Sequence, residues 1–217
     1  MMTYVQSNYN GANPATSLGV TLATNVAVGD LVVVTWRAGG AGGLTGISDN
    51  LGNTWTAQNA DGLSTFGSHY TVVTSAGAMT VTLTQASGRL GVSVHHYSGN
   101  SATPADNDTT ITTGTATASS TPSFTTSVAD GVVVGMWGGN QTPTPEADYG
   151  GANLQGNDTG RLFTCHRLFT STLTSETVDW THASATYQVK AASFKTAAGG
   201  EAFPFRAQHP MAHLLVR

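Results

Sequence analysis

Charge is scarce in this chain. Of 217 residues, 8 are Lys or Arg and 12 are Asp or Glu, together 9%, against a usual share of about 25%. Eight scattered cations do not neutralise a phosphate backbone, which excludes a nucleic-acid partner. Glu and Lys are almost missing, so a coiled coil or helix bundle is excluded as well. The one cysteine, Cys165, rules out an intramolecular disulfide. No run approaches the ~18 consecutive apolar residues of a membrane-spanning helix. The opening MMTYVQSNYNGANPATS has neither a cationic start nor an apolar stretch. It does not read as a secretory signal, and synthesis in a cytoplasm is the expectation. No segment keeps helical periodicity beyond one turn.

What is abundant is threonine and glycine, 35 and 26 residues, on a chain that is 39% apolar. That apolar share sets it apart from highly charged disordered chains. Period-2, β-branched runs recur at 30–36, 79–84, 91–97, 131–137 and 187–194. These are strand signatures. Between them lie Gly/Asn/Asp clusters such as Val28-Gly-Asp30, Ser48-Asp-Asn-Leu-Gly-Asn53 and Ser98-Gly-Asn100, which suit chain reversals. The spacing predicts an all-β fold, an antiparallel β-sandwich or jelly roll of about twelve strands.

The chain also repeats itself. Residues 68–98 align without gaps on 165–195, with seven identities in 31 positions. Among these are His69/His166, Val81/Val178, Thr84/Thr181, Ala86/Ala183 and Ser87/Ser184. Leu31–Trp36 matches Val132–Trp137 at a shift of 101, a Trp closing each Val-rich run. Such a period is too long for a solenoid and predicts two similar halves. They form two small sandwiches or interleave in a larger one. The threonine-rich crossover at 98–121 reads as strand-bearing rather than as a linker, which favours one domain over residues 1–197.

After Gly199-Gly200 the pattern breaks. Residues 198–217 read as an arm, because Pro204 and Pro210 discourage helix and central strand. Phe203, Phe205, Met211, Leu214 and Leu215 are too apolar for a free tail, and Arg206 and Arg217 suit acidic partner groups. These seven residues are the expected partner-binding set.

Catalytic chemistry finds little support. A glycosidase needs two facing carboxyls, yet there are only three Glu, at 146, 176 and 201, and most Asp sit in turn signatures. No Gly-x-Ser-x-Gly occurs. Cys165 alternates with Phe163 and Phe169, as a small sheet-face residue would. His95 and His96 point to opposite faces, and the His69/His166 pair lacks a further metal ligand, so hydrogen-bonded strand histidines are favoured. The Asp49 and Asp106–Asp108 clusters offer calcium oxygens but favour turns. Of the four Trp, Trp36 and Trp137 read as core, whereas Trp55 and Trp180 are the candidate sugar-stacking surfaces, with Tyr149. The expectation is a non-enzyme without cofactor or metal.

Three motifs carry a resemblance. They are Val26-x-x-Gly-Asp-Leu-Val-Val-Val34, then Ile47-Ser-Asp-Asn-Leu-Gly-Asn-Thr-Trp-Thr56, then a strand ending His96-Tyr-Ser-Gly99. Their order resembles β-sandwich modules of bacterial and bacteriophage surface and virion proteins, over roughly residues 3–195. His96 stands where such modules often carry an acidic residue. The resemblance implies a virion structural protein, most simply a capsid decoration protein, that contacts other copies of itself and a capsid or tail protein. It implies no catalytic residues, no nucleic acid and no membrane. The alternative is a carbohydrate-binding or host-adhesion module of a fibre or tail tip, with a glycan as ligand.

Overall fold

The structure, a computed structural model, describes residues 1–39, 41–58, 65–149, 155–157 and 159–197. The chain is an all-β antiparallel sandwich of two sheets. The first sheet contains β1 (Thr3–Thr21), β2 (Leu31–Ala38), β3 (Leu44–Asp49), β4 (Thr56–Gln58), β5 (Phe66–Val72) and β6 (Thr80–Ser98). The second contains β7 (Asn100–Asp108), β8 (Thr112–Ser120), β9 (Gly131–Gly139), β10 (Thr144–Pro145), β11 (Gln155–Asn157), β12 (Leu162–Phe169) and β13 (Asp179–Thr196). No strand pairs across the sheets among the described residues, so the halves do not interleave. The threonine-rich crossover supplies β7 and β8, both laid on β13.

The repeat is visible in the ladders. Trp36 lies opposite Val92, and Trp137 opposite Val189. Val81 and Val178 are both fully buried, one in each half's own core. The two long strands share one irregularity. Along β6, Val81 and Leu83 face the same core as Leu90, Val92 and Val94, although odd and even positions belong on opposite faces of a regular strand. The parity changes in a bulge at 84–88, where one residue of β1, Thr16, opposes three of β6, Gln85 to Ser87. Gln85 Nε2 holds it by donating to the carbonyls of Ala15 and Arg89. In β13 the ladder to β8 breaks between Thr181 and Ala185, 97 residues on, and Trp180 and Val189 face one core. Three of the repeat identities fall inside this bulge. At it β6 changes neighbour from β3 to β2, and β13 from β10 to β9. Each sheet thereby closes over a core of its own.

β2 and β9 are central strands, buried on both faces. Val32, Val34 and Trp36 join the first half's core, while Leu31 and Val33 face the other sheet. There they meet Val132, Val134, Met136 and Phe194 of the second half in a shared seam. The sheets approach closely at Gly91, where a Cβ would stand 2.8 Å from the Gly160 carbonyl oxygen. Among the described residues no helix is long and apolar enough to cross a membrane.

Trp36 is 1% exposed at the centre of the first core. Trp36→Ala is expected to cost about 3–5 kcal/mol, read from urea unfolding. A loss within about 0.5 kcal/mol contradicts the central placement of β2.

Candidate functional site

The motif residues are built into turns. Asp30 caps its own reversal, its Oδ2 accepting from Ala27 N–H at 2.8 Å and from His96 Nε2 at 2.6 Å. Gln6 Nε2 donates to His96 Nδ1 at 3.1 Å, and the Gln6 amide is oriented by the N–H and carbonyl of Thr24. This leaves the His96 proton on Nε2, facing Asp30. His96 is therefore a buried turn brace, and His95 points to the opposite face, as alternation predicts.

The Ser48–Thr56 motif is organised around one carboxylate. Asp49 Oδ1 accepts from Leu51 N–H at 2.7 Å and Asn53 Nδ2 at 3.1 Å, and Oδ2 accepts from Trp55 Nε1 at 2.8 Å. Asn53 Oδ1 in turn accepts from both the backbone N–H and hydroxyl of Thr74. Gly52, with φ of 76°, supplies the left-handed residue of the turn. Asp49 thus faces N–H donors rather than an ion-sized space. Asp106 likewise accepts from Ser127 and Ser193, and Asp108 pairs with Lys190. No group of three or more metal-ligating side chains occurs among the described residues.

The seam carries a polar centre that the sequence does not announce. His95 Nε2 meets Thr164 Oγ1 at 2.9 Å and Ser93 Oγ at 3.2 Å. The rings of His166, Tyr97 and Tyr4 close around it. Burial pushes His95 down to about 3, helped by the His166 charge, and burial holds His166 at about 4. The gapless alignment misassigns this residue. If Trp36 corresponds to Trp137, Val34 corresponds to Gly135, and their ladder partners are His69 and Cys165. His69 accepts from Trp36 Nε1 on the first core's side, whereas His166 faces the seam. The histidines are not related positions.

A groove of about 500 Å³ runs along β13 between β8 and β10, lined by Ser119, Ser120, Thr144, Glu146, Asp179 and Tyr187 over Pro145 and Trp180. Glu146 Oε1 accepts from the Asp179 backbone N–H at 3.0 Å, and burial chiefly raises its carboxyl pKa. Below it, Glu176 binds Arg167 at 2.5 Å and accepts from the Tyr149 hydroxyl at 3.1 Å. Trp180 and Tyr149 are at most 1% exposed, and Trp55 is half-buried with its N–H committed to Asp49. Trp180 and Tyr149 therefore offer no open ring face to a sugar, while Trp55 packs part of its surface on the first core. Cys165 is fully buried beside Gly135, its thiol pushed well up by burial. The expected partner-binding residues Phe203, Phe205, Arg206, Met211, Leu214, Leu215 and Arg217 lie outside the described residues. Comparison with known protein families, curated proteins and solved structures finds no match to this chain.

The buried histidines set a pH dependence. Unfolded, both titrate near pH 6.5, whereas the folded seam holds them uncharged well below that value. Stability is complete above about pH 6.5 and falls as the pH drops towards 4, because the unfolded chain takes up protons that the folded chain refuses. The slope approaches ~2.7 kcal/mol per pH unit for two such groups. Urea midpoints between pH 7.5 and 4 check this. A flat profile contradicts the neutral buried pair, and His95→Gln with His166→Gln should shallow the slope.

Proposed function

We propose that this chain is a non-enzymatic structural protein of a bacteriophage virion, a decoration module bound to a capsid or tail surface and to other copies of itself. The observation that carries the reading is the use of the motif residues. Asp30, Asp49, Asn53 and Trp55 are all engaged in holding turns, and the other three tryptophans, Trp36, Trp137 and Trp180, are buried. The similarity to virion and surface modules therefore rests on scaffold residues, as suits a protein whose work is to present a rigid exterior. The exposed threonines of β8 and the low overall charge agree with such a coat. In this reading the arm at 198–217 reaches a neighbouring copy or the shell, with burial of its apolar side chains and pairing of Arg206 and Arg217 as the source of affinity.

Mass spectrometry of gradient-purified particles tests the assignment, which expects the chain at high, fixed stoichiometry; its absence from particles contradicts it. Deleting residues 201–217 is expected to leave a soluble domain with nearly unchanged thermal stability but weakened particle binding. A truncated chain that unfolds, or that binds particles with full affinity, contradicts the role of the arm.

A further inference from the structure

Two of the chain's eight cations, Arg206 and Arg217, lie outside the described residues, which leaves six. Arg167 and Lys190 are paired with carboxylates, and Lys195 stands near the end of β13. Arg37, Arg89 and Arg161 gather instead at one end of the seam, with no carboxylate within ion-pair distance among the described residues. They come from distant places in the chain: the end of β2, the residue after the β6 bulge, and the approach to β12. The fold holds them there. Arg37 Nη1 donates to the carbonyls of Arg161 at 3.1 Å and Gly139 at 3.3 Å, tying the first sheet to the second. Arg89 Nε donates to the Thr159 carbonyl at 3.0 Å.

Arg37 and Arg89 line a pocket of about 290 Å³ with Asn13, Gly39, Gly88 and Gln188. Burial, then the charges of Arg89 and Arg161, press the Arg37 guanidinium down to about 10. Like charges held together by backbone hydrogen bonds are relieved by an anion, and the planar guanidinium fork matches two oxygens of one oxyanion. The amides of Asn13 and Gln188 add neutral hydrogen-bonding groups at the same rim. The volume admits one small ion or one sugar-sized acid and no longer chain.

We propose that this arginine pocket at the seam between the two halves binds a compact oxyanion, the carboxylate, sulfate or phosphate of a small ligand. The site is independent of the virion assignment and of the arm. Calorimetry on the full chain at pH 7.5 and constant ionic strength in chloride tests it, with sodium sulfate, inorganic phosphate and glucuronate as probes and glucose as the uncharged control. At least one oxyanion is expected to bind more tightly than about 10 mM, and glucose is not. Arg89→Gln and Arg161→Gln are each expected to weaken binding by roughly 10-fold or more, with melting temperatures near that of the parent. Arg37→Lys, which keeps the charge and loses the fork, is expected to weaken it too. Tighter binding of glucuronate assigns the pocket to a hydroxylated acid, and tighter binding of sulfate or phosphate to a tetrahedral ion. Absence of oxyanion binding below about 10 mM, or parental affinity in both Gln variants, overturns the proposal.

Discussion

Each half of this protein depends on a bulge in the middle of a long strand. A regular strand shows one face to one environment from end to end, because its side chains alternate with period two. β6 runs from Thr80 to Ser98 and would have to place Leu83 and Val92 on opposite faces if that rule held throughout. The irregularity at 84–88 reverses the parity, so both ends point into one core. The equivalent break at 181–185 does the same for Trp180 and Val189. The change of neighbour coincides with each bulge, where the strand bends and its ladder is interrupted.

Once each sheet has closed on its own core, the outward faces of β2 and β9 remain apolar. Stacking these faces removes Leu31, Val33, Val132, Val134 and Met136 from water in a single seam. Polar groups in the seam are only partly matched: His95 Nδ1, His166 Nδ1 and the Tyr97 hydroxyl are buried without a hydrogen-bond partner among the described residues, whereas other groups are paired. His95 meets Thr164 and Ser93, and Lys190, fully buried in β13, is matched by Asp108 at 2.6 Å and the Thr109 carbonyl at 2.9 Å. Losing either partner of such a pair leaves a charge in the interior, which is far costlier than the pair itself is stabilising. The shared apolar seam, with His95 bonded to Thr164 and Arg37 to Gly139 across it, makes the two repeats dependent on one another, although among the described residues no strand joins their sheets.

Much of this fold was legible in the sequence, because β-branched alternation and Gly/Asn/Asp turns are local signals. The faces of Val32, Val34 and Trp36 against Leu31 and Val33 followed from period two alone, and Thr84-Gln-Ala-Ser and Thr181-His-Ala-Ser marked the repeated bulge without declaring its shape. His69 and His166 show where such reading stops. A strand slipped by one residue exchanges its faces, and a gapless alignment cannot register the slip. Arg37, Arg89 and Arg161 were invisible for another reason. They lie 52 and 72 residues apart, and only the stacking of the sheets brings them together. The roles of Asp30 and Asp49 as turn braces were foreshadowed by the turn chemistry of Gly-Asp and Asp-Asn-x-Gly, whereas the burial of Lys190 had no local signal.

The mutual dependence of the halves is the claim on which the rest stands. Amide hydrogen exchange on the full chain tests it most directly. Trp36 lies in the first half's own core, away from the seam. Trp36→Ala should therefore lower protection at Val132–Trp137 of β9 by nearly as much as at β2, because both strands open in one cooperative event. Unchanged protection in β9 beside a large loss in β2 would show that the halves open separately and that the seam does not couple them.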